Sequence, residues 1–355
     1  MDNRILSLKS LLPDSSAALI TSDVNRQYFS SFRSSAGAVL VTKNSASLLV
    51  DFRYFEAASK SASKNISVIC FKKLFDSINE ILTKENIQSL IIEEMDVTVS
   101  KLRQIKDAVS IDVIDDFGLS DKIADLRMIK SESEIDKIIT AQKITEKSFL
   151  EVLNYVNSNV TERKLALELE YLMKQNGAEK VAFDIICVSG KNTSLPHGVP
   201  SDKTINEGDF ITFDIGAVYD GYHSDMTRTV AYKSATDKMI EVYNTVLQAH
   251  KNAATKIIAC NTCADVDNAA RDYITQNGYG EYFGHTTGHG VGLEIHEKPT
   301  VYLTNNQVLK SGMIITNEPG IYLPDSFGVR IEDMYLVLDD GYKDLATIDK
   351  ELIIL

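Results

Sequence analysis

Two carboxylates bracket a turn. Asp214 and Asp225 lie almost equidistant from Asp220-Gly221. The apolar runs Phe210 to Val218 and Tyr222 to Ala231 read as a hairpin around that turn. The two aspartates then become near-opposite cross-strand neighbours with side chains on one face. Carboxylates so placed repel each other and resist joint ionisation, and a bound cation resolves the conflict. The plainer alternative is that one of them points to solvent or caps a loop.

A second set follows. His285, His289 and His296, half of the six histidines, fall within twelve residues of a glycine-rich stretch, Gly284 to His296. A lone histidine is most often structural; three among glycines, which let backbone and ligands approach closely, read as ligand and acid–base groups. Glu318 ends an apolar strand at Pro319-Gly320, where a side chain can reach a cleft. Arg330 and Glu332 are two apart on a predicted strand and so share a face, with a surface ion pair as the alternative; Asp333 faces the other way. His197, in the loop Leu195-Pro196-His197-Gly198, reads equally as a substrate-facing or an ordinary loop residue. Asp214, Asp225, Glu318, Glu332 and His289 together form an oxygen-rich, hard donor set suited to Mn²⁺, Fe²⁺ or Co²⁺. It is large enough for two ions bridged by carboxylates. Paired ions of this kind activate water at neutral pH and clamp a developing oxyanion. The remaining histidines can donate to a tetrahedral intermediate or protonate a leaving amine. Amide hydrolysis fits these parts.

The elements that must position these groups read as two domains, the natural prior for 355 residues. To about residue 122, short strands (38–41, 48–50, 68–70, 90–92) alternate with helical patterns (76–86, 99–109), giving an α/β domain. A capping box at Ser131 to Glu134 opens a long helix, and a second helix runs from Thr161 to just before Gly177. Beyond it come a strand at 183–188, the hairpin, helices at 238–258 and 264–277, and strands at 313–316 and 329–338. This second domain, 123–355, is α+β. Apolar residues are 44 % and charged residues 25 %, values of an ordinary globular chain. The net charge of −13 argues against a nucleic-acid partner. No apolar run approaches the roughly 20 residues of a membrane span, and the start Met1-Asp2-Asn3-Arg4-Ile5 does not read as a signal peptide. Four cysteines in so long a chain suggest reduced thiols and a cytoplasmic setting. The Cys260/Cys263 pair has no partner pair to complete a zinc site and reads as structural.

Several longer motifs resemble those of the pita-bread-fold metallopeptidases, specifically the Xaa-Pro branch of aminopeptidase P and prolidase. They are Ser194-Leu195-Pro196-His197-Gly198, Phe213-Asp214-Ile215-Gly216, Gly221 to Thr229, Gly288 to Glu297, Glu318-Pro319-Gly320-Ile321-Tyr322 and Gly328 to Asp333. Tyr28 to Gly37 and Asp51-Phe52-Arg53-Tyr54 resemble the creatinase-type N-terminal domain, and Leu126 to Lys130 the usual lead into the catalytic domain. The resemblance implies a dinuclear exopeptidase that releases the N-terminal residue of Xaa-Pro peptides. It implies Asp214 on one ion, Asp225 and Glu332 bridging, and His289 and Glu318 on the other, with Glu318 as a proton shuttle. His197 and His296 would orient substrate and stabilise the intermediate, His285 would line the pocket, and Arg330 would hold Glu332. Mn²⁺ is the expected metal, with Co²⁺, Fe²⁺ or Zn²⁺ as substitutes. The expected partners are short peptides with proline second and, as a homodimer, another copy of the chain. Nucleic acid and membrane are not expected partners.

Two positions depart from the family pattern: His223 stands where a small residue is usual, and Asn317 where an apolar one is. Other readings are weaker. A methionine aminopeptidase shares the five ligands but usually lacks the large N-terminal domain and an arginine like Arg330. A creatinase-like hydrolase lacks the ligands. A non-catalytic peptide-binding protein on this fold loses ligands or histidines that are all present here.

Overall fold

The computed structural model describes residues 4–355; the reading of Met1, Asp2 and Asn3 lies outside them. The chain forms two compact units, one ending at Arg127 and one beginning at Met128. No described helix is long and apolar enough to cross a membrane.

The first unit runs α1 (Arg4–Leu11), β1 (Ser16–Ile20), α2 (Asp23–Ser30), β2 (Ala38–Thr42), β3 (Ala46–Val50), α3 (Phe52–Ser61), β4 (Ser67–Cys70), α4 (Leu74–Lys84), β5 (Ser89–Ile92), α5 (Val99–Ala108), β6 (Asp112–Ile114) and α6 (Leu119–Met128). Residue 122 therefore lies one turn into a helix. Its six strands form one mixed sheet in the order β4-β3-β2-β1-β5-β6. Strands β1, β2 and β3 are buried at every position, which explains their continuous apolar runs.

The second unit opens with α7 (Glu132–Val152) and α8 (Glu162–Gln175), then β7 (Lys180–Val181), β8 (Ile186–Ser189), β9 (Phe210–Ile215), β10 (Ala217–Tyr219), β11 (Tyr222–His223) and β12 (Met226–Ala231). It continues with α9 (Asp237–Ala254), α10 (Cys263–Gln276), β13 (Gly288–Gly290), β14 (Glu297–Val301), β15 (Ile314–Asn317), β16 (Gly320–Leu323), β17 (Phe327–Arg330), β18 (Asp333–Leu338) and β19 (Gly341–Asp344). Its helices start at polar caps. Glu134 reaches back to the Ser131 amide at 2.9 Å, and the hydroxyls of Thr161, Thr236 and Thr262 accept from amides three residues on. Such caps satisfy amides that the first turn leaves without partners.

Two cores hold this unit. One packs α7 and α8 against β8, β9 and β12, with Phe149 and Phe213 edge to face at 5.6 Å. The other packs α9 and α10 against β15, β16, β17 and β18. Sheets β12-β9-β8 and β14-β13-β15-β18-β19 therefore each carry a helix pair.

The structure refines three sequence expectations. The strand expected from Phe183 begins at Ile186. The hairpin is broken at Gly216 and at Ser224-Asp225, so that β9–β12 and β10–β11 belong to different sheets. The strand expected over 329–338 is interrupted at Ile331-Glu332, where Glu332 leaves β17 and bridges to Thr227 of β12. These breaks fall at the candidate site residues.

Candidate metal centre

Asp214 pairs across the hairpin with Thr227, not with Asp225. The two aspartates are therefore diagonal neighbours, still close enough to share a face. The break between them is built by Gly216: a Cβ there would run into the Ser224 carbonyl oxygen, so only glycine lets the two arms close at this point. Gly288 does the same for β13, where a Cβ would strike Thr316 of β15. That close approach brings His289 to Glu318: the His289 amide donates to Thr316 Oγ1 at 3.0 Å, and the same hydroxyl donates to Glu318 Oε1 at 3.3 Å.

Ligand atoms of Asp225, His289 and Glu332 all lie within 4.8 Å of one another. His289 Nε2 is 3.6 Å from Asp225 Oδ2 and 3.4 Å from Glu318 Oε1. Asp214 is close enough for its charge to act on Asp225, Glu318 and Glu332, and its Oδ2 accepts from Arg330 at 2.6 Å. The chain thus brings together the four carboxylates and the imidazole singled out from spacing.

The electrostatics of this cluster call for cations. Burial first, then the charges of neighbouring carboxylates, push Asp225 and Glu332 well above the usual carboxylate range. Glu318 is pushed up to about 7, chiefly by burial. Burial lowers His289 to about 4, so its ring is neutral at neutral pH and forms no ion pair with the acids. Its Nδ1 lies 3.1 Å from the Gly290 carbonyl oxygen. A carbonyl only accepts, so the proton sits on Nδ1 and the Nε2 lone pair faces the carboxylate oxygens. A divalent cation between Nε2 and these oxygens, 3.4–3.6 Å apart, would be bound by the lone pairs of both. The donor set fits divalent ions.

Second-layer contacts fix these groups. Thr227 Oγ1 donates to Glu332 Oε2 at 2.7 Å and accepts from Arg330 Nε at 3.2 Å. Arg330 thus touches Asp214 directly and meets Glu332 through a threonine. Its other branch donates to the Tyr322 hydroxyl at 2.7 Å and to the Pro196 carbonyl at 3.3 Å. His285 Nδ1 donates to the Thr286 carbonyl at 2.8 Å, which leaves Nε2 to accept from Tyr322 at 2.9 Å; burial holds this ring near about 4 as well. From behind, Arg228 donates to the Glu332 carbonyl and to Asp333 Oδ1, both at 2.8 Å. Asp333 faces this arginine and Lys350, away from the cluster.

The remaining candidates sit on loops. His296 is exposed and packs its ring edge-on against His289, centroids 4.3 Å apart. His197 is exposed on the segment whose Pro196 carbonyl Arg330 binds. Of the two departures, His223 lies in β11, its amide donating to the Gly292 carbonyl at 2.8 Å and its Nδ1 to the same oxygen at 3.2 Å. The buried Asn317 donates to the His250 carbonyl at 2.9 Å. Thr227, Thr316 and Tyr322 were not singled out by sequence reasoning. Thr227 could have been found: it lies two residues beyond Asp225, the spacing that shares a face on an extended chain.

Comparison with known proteins agrees with this geometry. Residues 136–339 match metallopeptidase family M24, and residues 12–129 match the creatinase/prolidase N-terminal domain. An Xaa-Pro dipeptidase of Pyrococcus horikoshii is 42 % identical over 338 residues, 95 % of this chain and 94 % of that protein. The structure of an Xaa-Pro dipeptidase from Bacillus anthracis superposes with a TM-score of 0.95 at 41 % identity, covering 99 % of each chain. That of an X-Pro aminopeptidase from Thermotoga maritima superposes with a TM-score of 0.89 at 35 % identity, covering 96 % of this chain and 97 % of that one. A buried cluster of carboxylates and an imidazole, set in a fold shared along nearly its whole length with these peptidases, places the chain in metallopeptidase family M24.

Proposed function

We propose that this protein is a metal-dependent exopeptidase that hydrolyses the Xaa-Pro bond and releases the N-terminal residue. The observation that carries this reading is the convergence of Asp225, His289 and Glu332 within 4.8 Å, in a chain aligned along 95 % of its length with an Xaa-Pro dipeptidase. Asp214, Asp225, His289, Glu318 and Glu332 would hold two divalent ions. When bound, such a pair supplies Lewis acidity and lowers the pKa of water. Manganese suits the oxygen-rich donors.

The chain's own groups do the rest. As water attacks the Xaa carbonyl carbon and the C–N bond breaks, Glu318 takes the water's proton at its carboxylate and passes it to the departing proline nitrogen. His197 and His296 orient the substrate and donate to the oxyanion of the tetrahedral intermediate. His285 lines the pocket, and Arg330 holds Asp214 by a direct hydrogen bond and, through Thr227, steadies Glu332. Proline has no N–H and a fixed φ, so its bonds need a dedicated site. The division into an N-terminal domain to residue 122 and a catalytic domain from 123, assembly as a homodimer and a cytoplasmic setting belong to the same reading; the motif resemblance supports the first two and the few cysteines the third.

The test supplies Mn²⁺ and compares an Xaa-Pro dipeptide, an Xaa-Pro tripeptide and an Xaa-Ala dipeptide. Cleavage of proline substrates with little of the alanine one supports the reading. Cleavage of the dipeptide alone assigns a dipeptidase, and comparable rates on both proline substrates an aminopeptidase. Preference for Xaa-Ala refutes it.

A further inference from the structure

Outside the cluster, the most heavily bonded buried acid in the second unit is Glu162, at the first position of α8. Its side chain is fully buried. Its Oε1 accepts from the Ser189 amide at 2.7 Å, the Ser189 hydroxyl at 3.0 Å and Asn192 Nδ2 at 3.0 Å. Its Oε2 accepts from the Ser201 amide at 3.0 Å and the Ser201 hydroxyl at 2.6 Å. A carboxylate is acceptor-only, and here every acceptor direction meets a donor.

Ser189 and Ser201 are the two ends of one segment. Between them the chain makes a short 3₁₀ turn (Gly190–Ser194) and then runs irregularly through Pro196, His197 and Val199. One carboxylate therefore pins both ends of the loop that carries His197. The backbone reinforces it: the amides of Glu162 and Arg163 donate to the carbonyls of Lys203 and Ser201 at 3.1 and 2.9 Å. The far side of the loop is held by Thr193, whose hydroxyl accepts from the Gly328 amide at 2.8 Å, and by Arg330 at Pro196. Leu195, His197 and Val199 stand exposed, so the placement of His197 is set by the loop backbone and not by packing of its ring.

We infer that Glu162 is a positioning residue for His197: by closing the 189–201 loop from beneath, it fixes where that imidazole meets substrate. The inference rests on the Xaa-Pro reading above for what His197 touches.

Glu162→Gln keeps size and shape but turns one acceptor edge into a donor, which must face either the Ser189 or the Ser201 donors. The expected result is a fall of about 10- to 100-fold in kcat/KM, the scale of an ångström-level misplacement, with Mn²⁺ affinity by calorimetry unchanged within about twofold. Amides of 190–200 should exchange hydrogen faster while those of β9 and β12 keep their protection. The decisive arm is a double-mutant cycle: in a His197→Ala background, Glu162→Gln should add little further loss. A full additive loss in that background, or wild-type exchange in 190–200, overturns the inference. Should Glu162→Gln fail to fold, Ser189→Ala and Ser201→Ala each remove one hydroxyl donor and are judged by the same cycle. If the wild-type protein does not cleave Xaa-Pro peptides, the functional reading falls, while the exchange measurement still decides whether Glu162 holds the loop.

Discussion

Replacing Thr227 with valine removes one oxygen from the centre of the site and little else. Thr227 is fully buried, and its hydroxyl donates to Glu332 Oε2 at 2.7 Å while accepting from Arg330 Nε. Valine has nearly the same volume, so no cavity opens. What is lost is a hydrogen bond to a charged group, about 1.5–3 kcal/mol. Arg330 loses the acceptor of its Nε but keeps its contacts to Asp214, Tyr322 and Pro196, so the loss falls chiefly on Glu332. That carboxylate already resists ionisation through burial and the charges of Asp225, Glu318 and Asp214, with Thr227 among the contacts that lower its pKa. Without the hydroxyl it is a poorer ligand, and at about 1.4 kcal/mol per decade the metal should bind about 10- to 150-fold more weakly. Calorimetric titration of Mn²⁺ into metal-free wild type, Thr227→Val and Thr227→Ser measures this directly. The serine variant should stay near wild type. Valine binding within about twofold of wild type, or serine as weak as valine, refutes the reasoning.

Three further predictions concern the same scaffold. His250 is buried, and burial ahead of Lys350 and Arg228 lowers its pKa from 6.5 to about 3. A depressed histidine stabilises the fold above the unfolded pKa and loses that contribution as pH falls. Urea unfolding should show wild type losing ~2–3 kcal/mol more than His250→Leu between pH 6.5 and 4.5; parallel pH profiles contradict this. Arg330→Lys keeps the charge but not the fork that reaches Asp214, Tyr322, Thr227 and Pro196 together. Its kcat/KM should drop on the order of 100-fold, and near-normal kinetics would show that the fork is dispensable. Gly216→Ala forces a Cβ against Ser224; a thermal melt should show a loss of ~1–3 kcal/mol, and an unchanged Tm means the hairpin can open there freely.

Much of this was legible in the residues. Strands β2 to β5 of the first unit and the long helices of the second follow from periodicity and caps, and the five cluster residues were singled out by motif chemistry, whereas the buried β1 was not expected. What spacing misjudged was local. A regular hairpin puts Asp214 opposite Asp225, yet the arms break where Gly216 lets backbone close on Ser224, and the partner of Asp214 becomes Thr227. A continuous strand puts Arg330 beside Glu332, yet the chain changes sheets between them. Both breaks depend on contacts far apart in sequence, which no window of residues contains. Glu162 was invisible for the same reason: at a helix start it reads as an ordinary first-turn acid, and only the fold brings Ser189 and Ser201 to it.

The central claim is that hydrolysis of the Xaa-Pro bond depends on ions held by Asp214, Asp225, His289, Glu318 and Glu332. Metal-stripped protein titrated with Mn²⁺ and assayed on an Xaa-Pro dipeptide tests it most directly. The rate should be negligible without metal and rise to a plateau at two ions per chain, and Glu332→Ala should lose bound metal and rate together. Full-rate cleavage by the stripped protein, or a Glu332→Ala variant that still binds two ions, would contradict it.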